Sequence, residues 1–122
     1  MSKKVNEFFY YSEFASPDVP NSGTKMHPKF LDKLYIARAM AGIPFTITSG
    51  YRSRAHNKKV GGVPNSSHLK GVACDIVANN SKDRGIILVS LLNAGFTRIG
   101  ISDNFIHVDI DNFKPQNVIW LY

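Results

Sequence analysis

The sequence predicts an α+β fold: a small antiparallel sheet with helices packed on it. Three observations carry this. Apolar residues recur at helical spacing over 28–41 and again over 81–94. Short runs of β-forming residues at 45–48, 72–77, 97–101 and 105–110 read as strands, the last two as a hairpin. The two kinds of segment follow one another without a regular βαβ alternation, which argues against a parallel sheet. A chain of 122 residues fits one domain, with an arm and loop over 1–27 and a core over 28–122.

In chain order, Phe8, Phe9, Tyr10, Tyr11 and Phe14 form an aromatic cluster before the Pro, Ser, Asn and Gly-rich stretch at 16–23, an arm that packs down and then a loop. Phe30, Leu31, Leu34, Ala37, Met40 and Ala41 line one helical face, with Pro28 at the first position and Gly42 as the stop. Phe45 to Thr48 is a strand ending at Ser49-Gly50, and Tyr51 to Ser67 is a long polar connection with one helical turn near Arg54 to Lys59. Val72 to Val77 is the second strand. Ser81 caps a second helix that Gly95 ends, Ser102-Asp103-Asn104 turns the hairpin, and Val118 to Tyr122 adds a last strand.

Composition narrows the function. With 43% apolar and 20% charged residues the chain is of globular type, and no run of eighteen apolar residues spans a bilayer. Met1 to Glu7 leads into no signal-peptide pattern, so synthesis in the cytoplasm without a leader is expected. The single Cys74 excludes an intrachain disulfide and the multi-cysteine zinc sites; it reads as a small core residue. Fifteen Lys and Arg against nine Asp and Glu leave a net charge of +6, which favours an anionic partner. These basic residues are dispersed rather than gathered on one face, so no specific nucleic acid is expected, and the chain is expected to be a monomer.

The informative residues are polar ones in apolar runs. Asp75 lies within Ala73 to Val77 and His107 within Phe105 to Ile110, where an unpartnered polar group is costly to bury. His68, seven residues before Asp75, can reach the same point from the preceding loop. Two imidazole nitrogens and one carboxylate oxygen make a ligand set that zinc accepts with a fourth position open, although each residue alone could be a salt-bridge or loop residue. His27 and His56 lie apart and read as solvent-exposed. Trp120 reads as core ahead of a sugar or peptide platform.

Ser66-Ser67-His68-Leu69-Lys70-Gly71-Val72-Ala73-Cys74-Asp75 resembles the Ser-x-His-x-x-Gly-x-Ala-x-Asp motif of the zinc D-alanyl-D-alanine carboxypeptidase family, peptidase family M15. Phe105-Ile106-His107-Val108-Asp109 looks like its later His-containing strand, and Ser49-Gly50-Tyr51-Arg52-Ser53 is similar to the Ser-Gly-Tyr-Arg segment before its first ligand. The order is conserved over roughly residues 45 to 122, and the chain's ends resemble small single-domain phage-type members. The resemblance implies a hedgehog/DD-peptidase-like fold, one Zn²⁺ held by His68, Asp75 and His107, and Arg52 binding a substrate carboxylate or the oxyanion, with Tyr51 and Ser66 beside the substrate. Many members carry an acid three residues before the last histidine, where this chain has Asn104. The general base is therefore expected at Asp109, which shares a strand face with His107, or at Asp103 in the turn; Asp109 could instead orient a zinc histidine. The implied function is hydrolysis of an amide bond in the peptide part of bacterial peptidoglycan, as a phage lysis endopeptidase acting once the membrane is opened. A D-Ala-D-Ala carboxypeptidase and a non-catalytic zinc-binding domain of hedgehog type are the alternatives.

Overall fold

The computed structural model describes residues 3–122; the first two residues of the predicted arm, which are also the start of the segment read for a leader, lie outside the described residues. Five strands form one sheet in the order β1-β2-β4-β3-β5: β1 Ile47–Ser49, β2 Ala73–Val77, β3 Arg98–Ile101, β4 Phe105–Asp109 and β5 Val118–Leu121. The helices are α1 Pro28–Ala41, α2 Arg54–Lys59 and α3 Ser81–Asn93, with 3-10 turns at Tyr11–Phe14, Ser22–Lys25 and Ser67–Lys70. The α+β class is as the sequence predicts. The sheet is antiparallel except at one edge, where β5 runs parallel to β3 with Arg98 opposite Val118 and Gly100 opposite Trp120.

Alternation sorts the side chains of each strand. On β2 and β4, Cys74, Ile76, Ile106 and Val108 point into the core with Phe30, Leu34, Ile87, Leu91 and Phe96 of the helical layer. Asp75, His107 and Asp109 point to the opposite face. Two predicted details shift. β1 begins at Ile47 rather than Phe45; its pairing with β2 is irregular between Ile47 and Ser49, and buried Phe45 lies before the strand. The cap of α3 is Asn80 rather than Ser81, its side-chain oxygen accepting from the Asp83 N–H at 2.8 Å.

The aromatic arm does pack down. Phe9 and Phe14 are buried in the main core, and the Phe14 carbonyl accepts from the Tyr51 N–H at 2.8 Å. This close approach explains Gly50: a Cβ there would lie 2.7 Å from Phe14 Cα, against main chain that cannot swing aside. The arm thereby fixes the point at which the chain leaves β1 toward Arg52.

Candidate metal centre and surrounding cleft

One rung of the sheet builds the site. Ser49, Asp75, His107, Gly100 and Trp120 are consecutive cross-strand partners from one edge to the other. Asp75 and His107, directly opposed on β2 and β4, place His107 Nδ1 3.1 Å from Asp75 Oδ1. His68 comes from the 3-10 turn, capped by Ser66, and places Nε2 3.3 Å from the same oxygen. One donor atom from each of the three lies within 4.8 Å of the others, and all three residues are buried.

The donor set fits a divalent cation such as Zn²⁺ because the outward nitrogens are already committed. His68 Nδ1–H donates to the Gly50 carbonyl at 2.7 Å, which turns Nε2 inward. His107 Nε2–H donates to Asp109 Oδ2 at 2.7 Å, which turns Nδ1 inward. Such outer partners fix tautomer and ring orientation in histidine metal sites. Arg52 holds the carboxylate from behind: Nε donates to Ser49 Oγ at 3.0 Å, Nη1 to Asn57 Oδ1 at 3.2 Å and Nη2 to Asp75 Oδ2 at 3.5 Å.

Charge follows the geometry. Burial works to raise the Asp75 pKa, but hydrogen bonds from His107 and His68 and their charges hold it far below the usual carboxylate range. Burial works to lower the His107 pKa, and is outweighed by its hydrogen bonds to Asp109 and Asp75, so the imidazolium persists above its ordinary range. Asp109 is likewise held down: burial opposes ionisation, while His107, the Asp111 N–H and Arg98 favour it. Its Oδ1 accepts from Arg98 Nε at 2.7 Å and from the Asp111 N–H at 3.0 Å, and its Oδ2 from His107. Neither oxygen is free.

A cleft of about 420 Å³ opens over this rung, lined by Arg52, Ser66, His68, Asp75, His107 and Asp109 and bounded on one side by Val60 to Val63. Asp103 does not line it; its side chain is exposed in the β3–β4 turn, whose backbone carbonyl accepts from Arg84 at 2.9 Å. Tyr51 also lies outside the lining, half-buried on the core beneath the Lys25 ammonium. His27 is exposed and caps α1, and His56 is half-buried on α2. Trp120 corrects the sequence reading: it is half-buried on the cleft wall, tilted against His107 at 5.5 Å between centroids, with Arg98 over its ring at 5.0 Å. As an edge-strand residue it has sheet on one side only, so a wall rather than the core receives it.

Sequence reasoning passed over Arg98, Tyr122, Ser67, Lys114 and Asp111. Arg98 had a signal, since a charge beside Ile99 in a strand needs a partner as much as Asp75 does. Asp111 continues the period of His107 and Asp109, and it is buried, bonded by Ser67 Oγ–H at 2.8 Å and by Lys70 at 3.0 Å.

No curated protein matches this chain. Among solved structures, it is similar to the Serratia marcescens L-Ala D-Glu endopeptidase ChiX, with a TM-score of 0.50 and 23% identity over 58% of this chain and 62% of that one. That likeness supports the fold, and it spans less than two thirds of the Serratia protein. The family model for Peptidase M15 matches residues 6–109, which takes in the aromatic cluster of the arm, Arg52, all three donor residues and Asp109, and on this match the chain belongs to peptidase family M15.

Proposed function

We propose that the chain is a zinc-dependent peptidase that hydrolyses an amide bond in the peptide part of bacterial peptidoglycan. The observation that carries this is the convergence of His68 Nε2, Asp75 Oδ1 and His107 Nδ1 at the floor of an open cleft, each histidine with its other nitrogen held by an acceptor. A zinc ion held by these residues would supply a Lewis acid for a water and the substrate carbonyl. The protein's own part is to orient and to exclude. Arg52 keeps Asp75 facing inward and lines the floor where the peptide carbonyl would lie; Asp109, with both oxygens occupied, orients His107; Ser66 holds the His68 turn. Asp103 is the other expected acid; its carboxylate has no partner among the described residues, and to take up a proton it would have to enter the cleft from the β3–β4 turn.

The finer reading is an endopeptidase that meets the wall during phage lysis. The open cleft accommodates a peptide that continues past the cut bond, and a +6 protein concentrates on an anionic wall. No helix among the described residues is long and apolar enough to cross a membrane. Incubation with purified peptidoglycan, with zinc and with chelator, followed by mass analysis of the fragments, tests activity, metal dependence and bond position together. New fragments that disappear with chelator are expected.

One observation favours a second reading, a zinc-binding domain without turnover: Asp109 offers no free oxygen and Asp103 stands outside the cleft. Stoichiometric zinc binding with intact peptidoglycan would select it.

A further inference from the structure

The cleft holds three cations, and their engagements differ. Arg52 is occupied by Ser49, Asn57 and Asp75. Arg98 is occupied by Asp109 and, at 2.6 Å, by the Pro115 carbonyl, and is covered by Trp120. Lys114 is different. Its Nζ donates to Ser67 Oγ at 3.1 Å and stands 3.7 Å from Asp111 Oδ2, beyond hydrogen-bond distance. It therefore forms a long ion pair with Asp111, but that single carboxylate is shared with Lys70, which holds it at 3.0 Å, and also accepts from the Ser67 hydroxyl and from the Phe113 N–H at 3.2 Å, so two ammoniums face one negative charge. Lys70 lies outside the cleft lining and Lys114 within it. The ammonium therefore faces the cleft with donors to spare.

Its backbone is also fixed in advance. The Lys114 carbonyl accepts from Gln116 Nε2 at 2.9 Å, the same amide donates to the Asp111 carbonyl at 3.0 Å, and the next carbonyl is held by Arg98. Ser67, on which the ammonium rests, immediately precedes His68. We infer that Lys114 is a specificity-determining residue, an ammonium set beside the metal centre to bind a carboxylate of the substrate peptide, separate from the role of Arg52. The inference rests on the peptidoglycan-peptidase reading and deepens it: stem peptides carry several carboxylates, which in some walls are carboxamides, and an ammonium that shares its one carboxylate partner with Lys70 distinguishes the two.

The test compares zinc-loaded wild type, Lys114→Gln and Lys114→Arg on stem peptides in which each carboxylate in turn is a carboxamide. For one position, wild type should lose about 10-fold to 100-fold in kcat/KM on amidation, mainly through KM, the range for one hydrogen bond between charged groups. Lys114→Gln should show that same low kcat/KM on both the acid and the amide, and Lys114→Arg should restore part of the preference. Unchanged Tm in Lys114→Gln is expected, since Lys70 still balances Asp111. If Lys114→Gln keeps the wild-type preference at every position, the assignment is overturned. A wild type that binds zinc yet cleaves none of the peptides overturns the peptidoglycan reading, and this inference with it.

Discussion

At position 109 a carboxylate is enclosed by a guanidinium, an imidazole and a main-chain N–H, and on these contacts we propose the orienting role for it ahead of the base. A general base needs an oxygen within reach of the water it deprotonates. An orienting acid needs an oxygen on the histidine, which is what Oδ2 has. Asp109→Asn should therefore weaken zinc binding by about 10-fold to 100-fold, with turnover largely recovered in excess zinc. Asp103→Asn should keep zinc affinity and lose kcat by roughly 10² to 10⁴. Zinc titration and kcat for both variants check this; a zinc-independent collapse of kcat in Asp109→Asn beside a normal Asp103→Asn would reverse the roles. The sequence made Asp109 visible, because two-residue alternation puts it on the face of His107. It could not separate base from orienting acid, since that depends on Arg98, eleven residues away and opposite only once β3 and β4 pair. Lys114 was hidden for a similar reason: in a Pro, Asn and Gln-rich loop nothing local distinguishes a cleft-facing ammonium from a solvated one.

Among the elements, those ruled by local chemistry were legible. Pro28 at the start and Gly42 in the left-handed conformation at the end bound α1 as the pattern predicts, and the β3–β4 hairpin forms around its turn. Long-range choices were not legible: the register irregularity in β1, and the parallel partner of β5, which no sequence period encodes. That edge strand carries a prediction of its own. Trp120 and Tyr122 lie across Gly100, where a Cβ would come within 2.5 Å of Trp120 Nε1 and 2.8 Å of Tyr122 Cε2. Both obstacles are side-chain rings, one on the edge strand and one just past its end, so they can tilt outward while the backbone holds. Gly100→Ala should therefore fold, cost about 1 to 3 kcal/mol as an overpacked site, and move the rings that wall the cleft beside His107. The single tryptophan makes this measurable. Thermal unfolding should show a lower Tm and the native fluorescence of Trp120 should shift; an unchanged emission spectrum with wild-type Tm would mean the rings do not rest on Gly100.

For the molecule as a whole, the candidate metal site would tie folding to pH, and the direction should differ with and without an ion. In the metal-free protein the raised pKa of His107 means its contribution to stability is fully present below the unfolded value of about 6.5 and is lost as pH rises through the higher folded value. Zinc bound there would reverse the sign. It requires His107 Nδ1 and His68 Nε2 as unprotonated donors, so it competes with the proton that the Asp75 and Asp109 carboxylates favour, and gains as pH rises. A ligand that binds only the folded state adds about 2.7 kcal/mol at one hundred times its Kd. The increment in Tm on adding zinc should therefore be small near pH 5.5 and should grow toward pH 8, while Tm in chelator gains nothing from this group over the same range. Because His107 joins β2 to β4 across the middle of the sheet, the gain belongs to the cooperative unfolding of the domain and not to one loop. Scans at several pH values with zinc and with chelator, beside His107→Ala, measure it. A zinc increment independent of pH, or one that survives intact in His107→Ala, would place the ion away from His68, Asp75 and His107.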